Sequence, residues 1–228
     1  MNKIILIISL ILSFNLFSQL TGTVTDKRDG KTYKTVKIGN QTWMAENLNV
    51  SAFRNGDPIP EVRSCEDWNN ALNDKQPAWC YYENMVENGT KYGKLYNWFA
   101  LTDPRGLAPI GWHIPSDQEW EQLGQYLGGS EVAGGKLKSF TNDWNNNGFG
   151  NNSANFSGLP GGYRNGDMVP EDCPFEYLGS KGIWWSSTMS KTIEQSYIRE
   201  LNYDMNTLYK SQSIFNQDGI SIRCLKDK

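Results

Sequence analysis

The stretch from Gly111 to Leu123, Gly-Trp-His-Ile-Pro-Ser-Asp-Gln-Glu-Trp-Glu-Gln-Leu, constrains the fold more than any other. Its second half reads as a helix start. Ser116 is an N-cap residue and Glu119 stands three positions on, so hydroxyl and carboxylate can each take a backbone N–H of the other residue. Asp117 and Glu119 place negative charge at the positive end of the helix dipole. Trp120, Leu123 and Leu127 recur at helical spacing, and Gly128-Gly129 supplies a stop. The first half enters extended, because Pro115 pushes the residue before it out of the helical region. With Trp112 and Trp120 on either side of the cap, this corner is expected to be a folding nucleus of a loop-rich domain.

The ends of the chain set its compartment and its limits. Residues 1–19 read as a secretory signal peptide: Lys3 forms the basic start, Ile4 to Leu12 the apolar stretch, and Ser18-Gln19 the cleavage point. That apolar stretch is too short to span a bilayer, and no other long apolar run follows. No cysteine follows it closely, so neither a lipid anchor nor a membrane span is expected. Residues 20–228 are read as one domain, secreted or held at the periplasm or cell surface. The formal net charge is −3, with no basic block, which argues against a nucleic-acid partner.

The four cysteines, Cys65, Cys80, Cys173 and Cys224, form an even set in an exported chain and suggest disulfides. The expected pairing is Cys65–Cys80, closing a short polar loop, with Cys173–Cys224 tying the strand-rich half. Cys80–Cys224 is the alternative, linking two buried strands. There is no C-x-x-C, and His113 is the sole histidine, so no metal site and no cofactor are expected.

Along the chain, Thr21 to Gly30 reads as a polar lead. Thr32–Ile38 and Gln41–Met44 alternate around Gly39-Asn40 and read as a hairpin. Residues 59–78 look polar and irregular. Ala78 to Tyr82 reads as a short buried strand, Tyr92 to Leu101 as a short helix, and Ser130 to Phe140 as another, weakened by Gly134-Gly135. Asn142 to Asn155 is a long Asn/Gly-rich loop around Trp144. Strands follow at 175–178, 183–188, 195–203, 207–211 and 220–225. The order of hairpin, two or three short helices and a run of strands indicates an α+β fold with small antiparallel sheets and long ordered loops.

Several blocks together resemble one family. Thr35-Val36-Lys37-Ile38-Gly39-Asn40-Gln41-Thr42-Trp43-Met44-Ala45-Glu46-Asn47-Leu48, Trp79-Cys80-Tyr81-Tyr82 and Tyr92-Gly93-Lys94-Leu95-Tyr96-Asn97-Trp98 are similar to the opening of the Fibrobacter succinogenes major paralogous domain. So, in order, are the Gly-Trp-His-Ile-Pro-Ser-Asp corner with Glu119-Trp120, Leu159-Pro160-Gly161-Gly162, Trp184-Trp185-Ser186-Ser187-Thr188 and Ser221-Ile222-Arg223-Cys224. They span about residues 33 to 226. The resemblance implies an exported protein of the kind found mainly in Bacteroidetes and Fibrobacteres. It further implies a C-type lectin-like fold, akin to formylglycine-generating domains, in which N- and C-terminal strands are tied together. The chain departs from family members at Ala108-Pro109, where a cysteine often precedes the proline. It also lacks the Glu-Pro-Asn or Gln-Pro-Asp and Trp-Asn-Asp motifs of calcium-dependent lectins.

Functional residues are expected in the irregular half. Trp144, Asn145, Asn151, Tyr163, Arg164 and Asp167 combine aromatics, amides, an arginine and a carboxylate, which hold neutral sugars or protein surfaces without a metal. A strand sends neighbours to opposite faces, so one ring of Trp184-Trp185 is expected in the core and the other either as a platform for a sugar ring or partner or covered by a loop. His113 reads as structural, since no nucleophile stands near it in sequence. Cys224 lacks the base a catalytic thiol needs. The expected function is an exported, non-catalytic binding module for a glycan or cell-surface protein. The alternatives are a structural envelope protein and an enzyme related to formylglycine-generating oxidases.

Overall fold

The computed structural model describes residues 21–166, 173–190, 195–213 and 217–228, so the predicted leader and Asp167 lie outside the described residues. Both ends of the described chain meet in one antiparallel sheet. Its strands are β1 (Thr21–Thr25), β2 (Thr32–Ile38), β3 (Gln41–Met44), β12 (Leu225–Lys226) and β6 (Trp112–His113), in the spatial order β1-β2-β3-β12-β6. Leu225 pairs with Trp43 on one side and His113 on the other, so the last strand is inserted between the hairpin and the central corner. The lead predicted as polar coil is β1, whose threonines and Val24 pair along β2 from Val36 to Thr32. Three threonines and a valine suit an exposed edge strand, which a reading based on polarity missed.

Between the hairpin and the corner the chain forms α1 (Cys65–Asn73), β4 (Trp79–Cys80), α2 (Val86–Tyr92), β5 (Leu95–Tyr96) and α3 (Trp98–Thr102). Helix α1 falls in a stretch expected to be irregular. Ser64 caps it by accepting the Asp67 N–H, and Trp68 and Leu72, one turn apart, are its buried pair. The single helix expected over 92–101 is instead a strand and a short helix. Asn97 separates them, its side-chain Oδ1 accepting N–H bonds from both Ala78 and Ala100.

After the corner come α4 (Asp117–Tyr126) and α5 (Ser130–Leu137). The capping box forms as expected: Ser116 Oγ accepts the Glu119 N–H, and Glu119 Oε2 accepts the Ser116 N–H at 2.8 Å. Trp120 and Leu123 are fully buried. The described residues therefore hold five α-helices rather than two or three.

The last half supplies β7 (Gly161–Arg164), β8 (Phe175–Leu178), β9 (Lys181–Met189), β10 (Ser196–Asn202) and β11 (Leu208–Ser213). Strands β7 and β8 form a two-stranded sheet, and β9 to β11 a three-stranded one, all antiparallel. The expected strand over 220–225 is mostly a connector. Gly219, Ile220 and Ser221 make single bridges to β7, β5 and β9 in turn, and so join three sheets. Trp184 and Trp185 do point to opposite faces, but neither is a platform. Trp184 packs with Trp43, Trp120 and Phe156 in one apolar cluster and Trp185 with Trp98 in another, and both are sealed from solvent. Each indole N–H is satisfied inside, by Asn47 Oδ1 and the Tyr96 carbonyl respectively.

The disulfide also corrects the expected pairing. Cys65 is bonded to Cys173, with Cα atoms 5.2 Å apart, while Cys80 and Cys224 are free and buried. Cys80 sits in the cluster under α1 and Cys224 in the main core, so a link between them cannot form. Buried Arg164 brings the true partners together. Its guanidinium donates to the carbonyls of Val62, Arg63 and Ser64 and so holds the start of α1 beside the β7–β8 hairpin.

Candidate functional site

The three-stranded sheet has two unlike faces. The registers place Trp184, Arg199, Leu201 and Leu208 on one, which is covered by α4 and α5. The other carries Trp185, Ile183 and Lys181 of β9, Ile198, Glu200 and Asn202 of β10, and Ser211 and Tyr209 of β11. This second face changes character along its length. The Trp185–Ile198 end lies in the core, whereas the Lys181–Glu200–Tyr209 end opens to solvent.

The β7–β8 hairpin stands over the point of change and makes one wall of a cleft of about 220 Å³. Tyr163 and Tyr177 form that wall, their rings 7° from parallel with centroids 5.9 Å apart. Regular alternation would not stack them. Tyr163 pairs with Glu176, so Tyr177, one residue on, belongs on the opposite face. Tyr177 has φ +64°, a left-handed backbone unusual for a large side chain, and this breaks the alternation. Gly162, φ +61°, permits it: a Cβ there would lie 2.2 Å from the Glu176 carbonyl oxygen and 2.9 Å from the Leu178 nitrogen. The Gly161-Gly162 pair thus lies in a strand that accommodates a bent partner.

Polar groups complete the cleft. Tyr163 Oη donates to Glu176 Oε2 at 3.3 Å, and Asn165 Nδ2 to Glu176 Oε1 at 3.0 Å. Lys181 Nζ pairs with Glu200 Oε2 at 3.1 Å and lies 4.4 Å from the Tyr177 centroid. Burial, reinforced by the carboxylates of Asp218 and Glu176, pushes the Tyr163 phenol above its ordinary value, so it stays a neutral donor. Ile183 and Ile198 form an apolar floor. The cleft continues past Tyr177 into a shallower hollow lined by Tyr203, Met205 and Tyr209. Stacking surface, a charged pair and several amide and hydroxyl groups therefore share one groove.

The predicted residues divide. Tyr163 lines this cleft. Asn145 lies behind its far end, donating to Ser180 Oγ at 2.9 Å. Asn151 is exposed but remote, its side-chain Oδ1 accepting the Ser153 N–H. Trp144 and Arg164 are not presented to a ligand. Trp144 is 2% exposed and donates to Ser139 Oγ, and Arg164 is 1% exposed with its guanidinium on three carbonyls. In the Asn-rich loop, Asn151 and Asn152 turn their side-chain oxygens onto nearby backbone N–H groups, Asn152 onto that of Ser157. Sequence reasoning missed Tyr177, Lys181 and Glu200. Their signal was the polar Lys181 two residues before Ile183, and Glu200 two after Ile198, which marks a sheet face passing from core to solvent.

His113 is half-exposed, with Nδ1 2.7 Å from Asp227 Oδ1 and Nε2 2.9 Å from Glu119 Oε1, so the ring joins the chain end to α4. Burial pushes both free thiols, Cys80 and Cys224, up to about 12. Among the described residues no group of three or more His, Cys, Asp or Glu is placed to hold a metal ion, and no helix is long and apolar enough to cross a membrane.

Fold and cleft together define an α+β, disulfide-bridged protein with a solvent-open groove on a three-stranded sheet. The chain belongs to the Fibrobacter succinogenes major domain family, whose model matches residues 36–226, from β2 to β12. No curated protein and no solved structure matched the chain.

Proposed function

We propose that this protein is a non-catalytic binding module of the C-type lectin-like kind, and that a glycan occupies the cleft between the β7–β8 hairpin and the β9–β11 sheet. The stacked Tyr163–Tyr177 wall beside the Lys181–Glu200 pair carries this reading. Tyrosine rings offer flat apolar surface to the C–H face of a sugar, and the fixed carboxylate and ammonium meet its hydroxyls. Two features support a lectin-like scaffold: the chain ends are tied through β12, and long loops hang from small sheets. The Cys65–Cys173 bridge fits an oxidising compartment and hence export. A role for Cys224 as a nucleophile is disfavoured, because its thiol is buried and pushed away from the thiolate form.

The test is a glycan array followed by titration of the best hit. Tyr177→Ala and Glu200→Gln are each expected to weaken binding at least tenfold, about 1.4 kcal/mol, while both variants melt as wild type. EDTA is expected to leave the affinity unchanged. Wild-type affinity in both variants would place the ligand elsewhere. A saturating array of glycans and proteins without a hit would favour a structural envelope protein.

A further inference from the structure

A second cleft, of about 330 Å³, shares no lining residue with the first. It lies where β2 and residues 45–49 meet the loops at 89–93, 139–141 and 152–159. Its charge is opposite to that of the whole chain. Lys31, Lys34, Lys91 and Arg223 line it, against the single carboxylate of Glu46. Lys91 is neutralised by Asp143, and Glu46 accepts the backbone N–H of Lys34. Lys31 and Lys34 make no ion pair among the described residues.

Arg223 is the unusual member. It is 1% exposed, and among the described residues no carboxylate pairs with it. Its Nε donates to Asn47 Oδ1 at 3.0 Å, and Nη1 to the carbonyls of Met44 and Phe156 at 3.1 and 2.6 Å. The guanidinium carbon lies 4.3 Å from the Phe156 ring centroid. Nη2 has no hydrogen bond among the described residues, and Arg223 is one of the residues that line the cleft. A guanidinium buried without a counter-anion is costly, and burial drags the Arg223 pKa down to about 9. An anion in the cleft would supply the missing charge and the missing acceptor together. The lining also carries the hydroxyls of Thr141 and Ser157, with the ring of Phe140 81% exposed beside it. That set suits the hydroxyls and one flat face of a sugar ring rather than a bare inorganic ion.

We propose that this cleft binds an acidic saccharide, holding its carboxylate or sulfate between Arg223 Nη2 and the ammonium groups of Lys31 and Lys34. The full chain is titrated calorimetrically with three tetrasaccharides: an oligogalacturonate, its methyl ester, and a sulfated galactan fragment. At least one acidic probe should bind, with the preferred acid identifying the source of the charge, and the ester should bind at least tenfold more weakly. The Lys31→Gln/Lys34→Gln double variant, which removes only surface ammonium groups, should weaken acid binding at least tenfold, and higher salt should weaken it further. Arg223→Lys keeps a charge but loses Nη2 and should lose affinity; if it fails to fold, the double variant alone decides. Tyr177→Ala should leave acid binding unchanged, which separates this cleft from the first. Failure of both acids to bind, equal binding of acid and ester, wild-type affinity in the double variant, or loss of acid binding in Tyr177→Ala would each overturn the proposal.

Discussion

Ser116 and Glu119 show how two side chains fix a local structure and then serve a distant one. Their reciprocal bonds cap α4, and the other Glu119 oxygen receives His113, which reaches on to Asp227. Ser116→Ala is expected to cost about 1 kcal/mol in a denaturant melt, as lost caps do. Burial acts to raise the Glu119 pKa, but hydrogen bonds from the Ser116 N–H and hydroxyl and from His113 outweigh it, and the net shift is below the ordinary 4.5. A depressed carboxyl stabilises the fold above its unfolded value and loses that contribution as pH falls through the folded one. Stability should therefore drop below about pH 4.5, and Glu119→Gln should flatten that acid limb. The same acid limb in the variant would show that other carboxylates set it. The cap made by Ser116 and Glu119 was legible in sequence. The meeting of His113 with Asp227, 114 positions apart, was not, because it depends on β12 pairing with β6.

Among elements, α1 and the β7–β8 hairpin behave as one unit. Arg164 clasps the carbonyls before α1, and Cys65–Cys173 closes the contact across 108 residues. By the chain-entropy model, a loop of that length is stabilising by roughly 3–5 kcal/mol. Reduction, or Cys173→Ala, should lower the unfolding free energy by about that amount, measured with and without reductant. Native protein should leave Cys80 and Cys224 unlabelled by iodoacetamide, while denatured unreduced protein should show two labelled thiols by mass spectrometry. A Cys80–Cys224 peptide in a non-reducing digest would contradict the observed pairing. The hairpin's other face holds Tyr163 and Tyr177, so loosening this unit should also weaken any ligand in the tyrosine cleft.

At the scale of the molecule, β12 closes the fold. Leu225 is 3% exposed and lies between β3 and β6, while the residues just before it, 219–222, tie the smaller sheets to the core. Removing 225–228 would strip two strands of their partner and open the apolar cluster around Trp43 and Trp120. Such a truncation should lose its cooperative thermal transition, whereas removing only Lys228 should leave the transition intact. Leu225→Ala, a milder probe, should cost about 2–5 kcal/mol through the cavity it leaves. An undisturbed melt of the truncated chain would mean that the last strand is decoration.

Sequence alone determined the elements whose physics is local. The capped α4 needed only Ser116, Glu119 and an apolar stripe, and the β2–β3 hairpin only alternation and Gly39-Asn40. Polar composition hid α1 and β1, although Ser64, Trp68 and Leu72 carried the helix pattern. The tertiary structure alone decided which cysteines pair, since that depends on Arg164 bringing residues 62–64 to the hairpin. It alone decided that Trp144, Arg164 and both indoles of Trp184-Trp185 are internal, because burial is set by what other strands cover. The two clefts are of the same kind. Tyr163 stacks on Tyr177 through one left-handed residue opposite a glycine, and Arg223 lines one cleft with Lys31 and Lys34 although it comes from the far end of the chain. Contacts between residues so distant in sequence leave no periodic trace in it.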